Sequence, residues 1–351
     1  MAKLLFITQK VDKDDDLLGI YHRWLEELAK RIPQISVICL YRGRVELPSN
    51  VAVYSLGKEI GRSRIKYFIN FYKYLFRLKK QYDVVFVHMN PEYVVLGSVV
   101  WKLFRKRLLF WYNHPLGGLR ARLAIAFADS VFYTSPAAFT ARYKKARPMP
   151  VGIDVDMFRR LEGTAKKRNS ILYIGRISPI KKLEVLLGAA EILKSEGVNF
   201  TITIIGNPSK ASEFKYAEEM KNRTQPLIDQ KMIVFLGAVP NYKTPELYNT
   251  HEISVNMTPS GSLDKAIIES MACELPVIVS NRAFLEIFPA ALVRRQMFVE
   301  GDAEDLAFKI RDFLSLPTEK RRQIGREMRQ LIVRKHSLTE LSQKLIKLIN
   351  A

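Results

Sequence analysis

The chain of 351 residues is 48% hydrophobic and 26% charged, which suits a soluble globular protein and is long enough for two domains of ordinary size. Lys and Arg outnumber Asp and Glu by 56 to 35, a net charge of +21. The excess is greatest early in the chain: 26 cations against 12 acids through residue 155, and 30 against 23 beyond it. No run of about 18 apolar residues is present, so no transmembrane helix is expected. The N-terminal apolar run Met1–Thr8 stops at Gln9-Lys10, too brief for a signal peptide, and a cytoplasmic location is expected. Cys39 and Cys273 lie in apolar contexts with neither metal-ligand nor disulfide-framework spacing and read as small buried hydrophobes.

Apolar strand-like runs alternate with helical patterns throughout, the signature of α/β folds with parallel sheets. The first half predicts strands at Leu4–Thr8, Ile35–Leu40, Val51–Ser55, Val84–Met89, Leu108–Tyr112 and Ser130–Thr134, with a helix Ile20–Ala29 opened by Gly19. The second half predicts strands at Ile171–Gly175, Phe200–Ile205, Ile233–Leu236, Ile253–Met257, Val277–Ser280 and Phe298–Glu300. Leu183, Leu186, Leu187, Ala190 and Leu193 recur at helical spacing. The polar stretch 156–169, with Gly163 and no strand pattern, reads as the linker. The expected organisation is therefore a domain at 1–158, a second at 159–335 and a terminal helix over 336–351, whose Leu338, Leu341, Leu345 and Leu348 share a face.

From Arg62 to Lys80 there are seven cations and no acid, and Ile65, Phe68, Ile69, Tyr72, Leu75 and Phe76 form an apolar stripe at helical spacing. Trp101-Lys102-Leu103-Phe104-Arg105-Lys106-Arg107 mixes aromatics and cations again. Both stretches read as a surface drawn to anionic lipid. The plainer alternative is that helices of a doubly wound sheet bury such stripes and expose the charges.

Three segments carry candidate chemistry. After the strand ending at Gly175, Arg176 and Lys181 stand five residues apart in a strand-to-helix turn, a placement suited to a diphosphate above a parallel sheet. Ser260-Gly261-Ser262-Leu263-Asp264-Lys265 precedes a helix, and its small residues are expected to leave backbone amides free for an anion at the helix start. Glu269 lies four residues after Lys265 and shares its helix face. Asp264 has a second reading as a first-turn acid that stabilises the helix dipole. In the first half, His88-Met89-Asn90 and Trp111-Tyr112-Asn113-His114 each end a strand, where a His can meet a developing charge or an acceptor hydroxyl. His22 is a third candidate.

The run Ser260–Asn281 resembles the donor-site segment of the GT-B retaining glycosyltransferases of family 4 (glycosyl transferases group 1), and Pro150-Val151-Gly152-Ile153-Asp154 with Phe158 is similar to that family's interdomain signature. The resemblance implies an α/β fold of two Rossmann-like doubly wound domains facing across a cleft, with the acceptor bound by the first and the donor by the second. It implies a retaining hexosyltransferase that uses a UDP- or GDP-sugar, needs no further cofactor and no metal, and serves cell-envelope polysaccharide or glycolipid synthesis. By resemblance the donor contacts are Gly19, Arg176, Lys181, the backbone near Val239, Gly261, Ser262, Leu263, Lys265 and Glu269, the last holding a ribose. His114 and Asp264 are the catalytic candidates, and His22, His88 and Asn90 the acceptor candidates. One departure stands out: the family pairs two Glu eight positions apart, and eight before Glu269 stands Gly261. Expected partners are the nucleotide sugar, a glycan or lipid-linked acceptor and an anionic membrane surface, with no nucleic acid, and the protein is expected on the inner face of the membrane. A sugar-nucleotide epimerase of the same fold and an anionic-polymer-binding module are the rival readings.

Overall fold

The computed structural model describes all residues, Met1–Ala351. The chain divides into two compact units, one of Met1–Gly152 with Ser337–Ala351 and one of Ile153–His336. The crossing at Gly152 lies ahead of the expected boundary at 158 because the segment after it is held by the second unit: Arg329 donates to the carbonyls of Val155, at 3.1 Å, and Phe158, at 2.9 Å.

The first unit is built on seven parallel strands, β1 (Leu4–Val11), β2 (Ile35–Arg42), β3 (Val51–Ser55), β4 (Val84–His88), β5 (Arg107–Trp111), β6 (Ser130–Tyr133) and β7 (Ala146–Pro148), in the order β3-β2-β1-β4-β5-β6-β7. Strand β7 was not expected, since Ala-Arg-Pro carries no apolar alternation; it is held by its register with β6. Order reverses between β1 and β4, and in open parallel sheets the crevice at such a reversal is where ligands bind. Phe6, Phe86, Phe110 and Phe132 fill the centre of the unit. Trp24, on the helix Ile20–Ala29, donates its indole N–H to the Gly152 carbonyl at 2.9 Å. Gly152 has φ +79°, and a Cβ there would fall 2.2 Å from Leu341, so glycine alone lets the helix Leu338–Asn350 close onto this corner.

The second unit holds five parallel strands, β8 (Ser170–Ile174), β9 (Thr201–Ile205), β10 (Ile233–Gly237), β11 (Ile253–Asn256) and β12 (Val277–Val279), in the order β10-β9-β8-β11-β12. Its reversal lies between β8 and β11. The expected strand Phe298–Glu300 does not form; Met297 makes a single parallel bridge to Val279, after which Phe298 turns inward and Val299 is exposed. The apolar residues predicted to drive a helix do so over Leu183–Ser195, with all five buried. Gly206 is required beside β8: a Cβ on it would lie 1.9 Å from the Gly175 carbonyl oxygen. No helix of the structure is long and apolar enough to cross a membrane.

Candidate functional site

The carboxyl ends of β8 and β11, at the reversal of the second sheet, carry a compact polar cluster. Strand β8 ends at Ile174 and releases Gly175-Arg176 into a turn that returns as the helix Leu183–Ser195, and Lys181 sits on that turn. Strand β11 ends at Asn256 and leads through Thr258 to Asp264, the N-cap of the helix Lys265–Ala272. The Lys181 ammonium pairs with Oδ2 of Asp264 and lies 3.2 Å from the Thr258 hydroxyl. The same carboxylate oxygen accepts from Nδ2 of Asn256 at 3.1 Å and from the Thr258 hydroxyl at 3.2 Å. Its other oxygen accepts the Ala266 amide at 3.3 Å. Burial pushes the Asp264 carboxyl up, but the Lys181 ammonium and the bonds from Lys181 and Asn256 outweigh it and hold the group below the usual carboxylate range. Asp264 is thus the N-cap of its helix, one position ahead of the expected first-turn acid, and the anchor of Lys181 at once.

Arg176 is oriented by residues without a sequence signature. Its guanidinium lies 3.6 Å from Glu213 and 3.4 Å from the Ser209 hydroxyl. Glu213 is buried at the start of the helix Ala211–Arg223 and accepts both the amide and the hydroxyl of Ser209, at 2.8 and 2.9 Å. Burial raises the Glu213 carboxyl, and the Ser209 bonds with Arg176 bring it below its ordinary value.

The loop 260–263 departs from the expectation of free amides at a helix start. The Ser260 amide donates to Glu300 at 3.1 Å and the Gly261 amide to Oδ1 of Asn281 at 3.2 Å; Nδ2 of Asn281 donates back to the Ser262 carbonyl at 2.8 Å. Leu263 is buried, so its side chain is core. The helix itself starts only at Lys265, behind the Asp264 carboxylate. An anion here meets side-chain cations, with the loop already stapled by Asn281 and Glu300. Glu300 also accepts from Lys182 at 3.2 Å, which ties this loop to the turn carrying Lys181. Both carboxylates around the loop have their two oxygens engaged, and Glu300 is the more exposed of the two, at 36% against 11% for Asp264.

Glu269 lies on the buried side of the helix Lys265–Ala272 and is 3% exposed. Its Oε1 accepts from Nδ2 of Asn241 at 2.9 Å and its Oε2 from the Tyr248 hydroxyl at 3.1 Å. Burial raises its pKa to about 7, against the opposing pull of those two bonds and of Lys265. Val239 stands half-buried in the loop after β10, two residues before Asn241, so the expected base-pocket segment and the expected ribose carboxylate are joined through Asn241.

In the first unit the candidates gather at the β1–β4 reversal. Gly19 is buried at the N-cap of Ile20–Ala29. His22 is 1% exposed, with Nε2 accepting the Glu46 amide at 3.1 Å and Nδ1 lying 3.0 Å from Glu26, so both ring nitrogens are engaged inside the unit. His88 ends β4, packed among the rings of Tyr21, Trp24 and Trp111 at centroid distances of 4.2, 5.7 and 6.1 Å. Asn90 donates to the His88 carbonyl at 2.8 Å. His114 follows β5 and is exposed, its Nδ1 lying 3.0 Å from the Leu116 amide.

Arg176, Lys181, Asp264, Lys265 and Glu269 therefore share one end of the second sheet, and Gly19, His22, His88 and Asn90 one end of the first. The residues missed from sequence are Asn256, Thr258, Asn241, Glu213, Asn281 and Glu300. Asn256 alone left a trace, as an amide closing the strand Ile253–Asn256. A cavity of about 220 Å³ lined by Arg160, Lys166, Asn249, Cys273 and Arg321 lies at the opposite, amino-terminal ends of β8 and β11 and includes none of the candidates.

The glycosyl transferases group 1 family model matches residues 154–331, half of the chain. D-inositol 3-phosphate glycosyltransferase of Acidothermus cellulolyticus is 24% identical over 155 residues, 41% of this chain and 34% of the relative. The enzyme of the same name from Rhodococcus opacus is 25% identical over 149 residues, 42% of this chain and 32% of the relative. The match thus spans about a third of the length of these curated relatives. Among solved structures, Anabaena Alr3699/HepE in complex with UDP and glucose aligns over 100% of both chains with a TM-score of 0.80 at 18% identity. Sucrose-phosphate synthase from Thermosynechococcus elongatus aligns over 100% of this chain and 98% of its own, with a TM-score of 0.79 at 17% identity. The two parallel-sheet, Rossmann-like domains are those of the GT-B glycosyltransferase structures.

Proposed function

The chain belongs to the glycosyl transferases group 1 family, and from that premise we propose that it is a retaining hexosyltransferase that moves a sugar from a UDP- or GDP-sugar to a glycan or lipid-linked acceptor. The observation that carries the reading is the Lys181–Asp264–Thr258 cluster beside Arg176 at the β8–β11 reversal, where two cations are held in place by the nearly buried Asp264 and the buried Glu213. Arg176 and Lys181 bind the donor diphosphate and neutralise the charge that grows on it as the glycosidic bond breaks, which is where preorganised cations act most strongly. Glu269 accepts the ribose hydroxyls, and Asn241 and Tyr248 fix its orientation. The backbone near Val239 meets the base, and Gly19, Gly261, Ser262, Leu263 and Lys265 complete the donor contacts.

The Asp264 carboxylate acts by fixing Lys181, with which it makes an ion pair. Glu300, whose carboxylate stands over the Ser260 amide, takes the sugar-facing position that the missing first Glu leaves open. On the acceptor side, His114 acts beside the transferred sugar, His88 and Asn90 line the acceptor site, and the buried His22 positions them. The departing diphosphate takes the acceptor proton. UDP, named in the structure of the similar Anabaena protein, supports a uridine donor first. The product serves cell-envelope polysaccharide or glycolipid, and an anionic membrane on the cytoplasmic side is the further partner.

Thermal-shift titration with UDP-, GDP- and ADP-sugars tests the reading, since a ligand at 100 times its Kd adds about 2.7 kcal/mol of stability. A UDP- or GDP-sugar that stabilises the wild type but not Lys181→Ala supports it; no shift with any of the three overturns it.

A further inference from the structure

We infer that the helix Arg64–Leu78, together with the last turns of the helix Pro91–Leu103, is a preformed docking face for an anionic lipid bilayer, with its apolar side chains entering the interface. The inference deepens the membrane part of the proposed function and is independent of the sugar-transfer part.

The helix Arg64–Leu78 has two apolar stripes. One, Phe71, Leu75 and Leu78, is buried against the first sheet. The other, Ile65, Phe68, Ile69 and Phe76, falls at the i, i+3, i+4 and i+11 positions of a single line, and all four side chains are exposed, Ile65 to 74%. The stripe therefore does not serve the core, as the plainer reading of the sequence had it; only Leu75 of the residues singled out is fully buried. The helix Pro91–Leu103 extends the surface with Val99 and Leu103, exposed to 72% and 75%. Side-chain contacts join the two helices. The Tyr72 hydroxyl donates to the Leu96 carbonyl at 2.8 Å, and the rings of Phe76 and Phe104 meet edge-on at a 6.3 Å centroid distance. Trp101, expected on the surface, belongs to the core instead, because the inward side of its helix carries the indole.

The charge around this face has one sign. Lys66, Lys73, Arg77 and Lys80 flank the exposed stripe on one side, and Arg64 and Lys79 on the other, with no acid between Arg62 and Lys80. Lys79 reaches over the Phe104 ring, 5.2 Å from its centroid, and Lys102 and Arg105 continue the charge beyond it. An exposed apolar line between rows of long cationic side chains matches the layering of a bilayer interface, in which acyl chains lie beneath anionic headgroups. A folded protein partner would need an acidic rim around an apolar centre, and a second copy of this chain would bring cations against cations. The helix is closed by its own cap, the Ser63 hydroxyl accepting the Lys66 amide at 3.3 Å, so the face exists before any lipid is met.

The test uses the full chain and vesicles with and without phosphatidylglycerol. Cys39 and Cys273 are buried, so an environment-sensitive fluorophore can be attached selectively to Ile69→Cys and, as a control, to Lys215→Cys on the second unit. The wild type is expected to sediment with the anionic vesicles only, less so as salt rises, and the probe at 69 is expected to shift to the blue while the probe at 215 does not. Replacing Lys73, Arg77, Lys79 and Lys80 by Gln is expected to lower binding about a thousandfold, near 1 kcal/mol per cation. Ile65→Ser with Phe68→Ser and Phe76→Ser is expected to lower it about tenfold at unchanged charge, with the melting temperature and donor binding kept. The inference is overturned if the wild type fails to sediment at low salt, or if the probe at 69 stays in water while the protein binds. It is overturned equally if the triple Ser variant merely abolishes a lipid-free dimer.

Discussion

The hydroxyl of Tyr248 donates to Oε2 of Glu269 at 3.1 Å, and both side chains are buried. A carboxylate proposed to hold a ligand is thereby also part of the packing of its own unit, between the helices Thr244–Thr250 and Lys265–Ala272. Replacing Glu269 by Ala strands Asn241 and Tyr248 without their acceptor, so a loss of about 1–3 kcal/mol is expected along with the loss of activity. Glu269→Gln keeps most of the shape. It is expected to retain the melting temperature more closely than Ala while still losing donor affinity; urea titration of both variants beside calorimetry with the nucleotide sugar separates the two effects. Full donor affinity in the Gln variant would remove the ribose contact from Glu269.

The same residue gives the second unit a pH signature. Glu269 has a folded pKa of about 7 against an ordinary 4.5, raised by burial, so its contribution is complete below about 4.5 and is lost as pH rises through 7. His251, buried with Nδ1 at 2.7 Å from the Leu247 carbonyl and Nε2 at 2.9 Å from the Thr203 hydroxyl, runs the other way. Burial lowers it from 6.5 to about 4, so its contribution is complete above 6.5 and is lost as pH falls toward 4. Between 4.5 and 6.5 the two slopes, each up to about 1.4 kcal/mol per pH unit, oppose one another. Glu269→Gln should leave the His251 slope uncovered, so that the variant loses stability on acidification more steeply than the wild type. Parallel curves of unfolding free energy against pH for the two proteins would refute this.

Lys181 and Asp264 are a nearly buried pair, with side chains 21% and 11% exposed. Lys181→Ala leaves the Asp264 carboxylate with hydrogen bonds but no cation, and should cost about 3 kcal/mol of stability. It should also weaken binding of the nucleoside diphosphate much more than of the nucleoside. An equal loss for both ligands, measured by calorimetry at a temperature where the variant is folded, would place Lys181 away from the phosphates.

Glu213 touches Arg176 through one ion pair at 3.6 Å and also fixes Ser209, whose hydroxyl lies 3.4 Å from the guanidinium. Glu213→Gln should raise the KM for the donor and lower kcat, each several-fold, because it loosens a cation that both binds the diphosphate and meets the charge growing on it. Unchanged kcat and KM would count against that role.

His114→Ala is expected to act on turnover alone. The side chain is exposed and meets only the Leu116 backbone and the Tyr112 ring, at a 6.2 Å centroid distance, so the fold should be untouched. Turnover should fall about a hundredfold, as for a group acting near the reacting centre, with unchanged binding of the bare diphosphate. Steady-state kinetics with unchanged kcat would return His114 to a loop-anchoring role.

What the sequence determined by itself is local. Alternation of apolar strands with helical patterns specifies two parallel sheets, because each strand and each helix writes its own period into a few consecutive residues. Gly175-Arg176 with Lys181, and Lys265 with Glu269, were legible for the same reason, since each pair lies within one turn or one helix. Where the signal is a short apolar run, as at Phe298–Glu300, sequence overstates it, because a strand needs a ladder and only Met297 finds a bridge. What the tertiary structure decided is which groups meet. Asn241 reaches Glu269 across 28 positions, and Lys181 reaches Asp264 across 83. No spacing rule connects them; the second pairing turned Asp264 into an anchor, while Glu300 and Asn281, equally remote from a local pattern, closed the amides of Ser260 and Gly261 to an incoming anion. The helix Arg64–Leu78 shows the same division: its sequence writes two adjacent apolar stripes of similar character, and burial of Phe71, Leu75 and Leu78 left the other stripe to the surface. Hydrophobicity belongs to a residue, but burial belongs to a pair of surfaces, and only the folded chain supplies the second one.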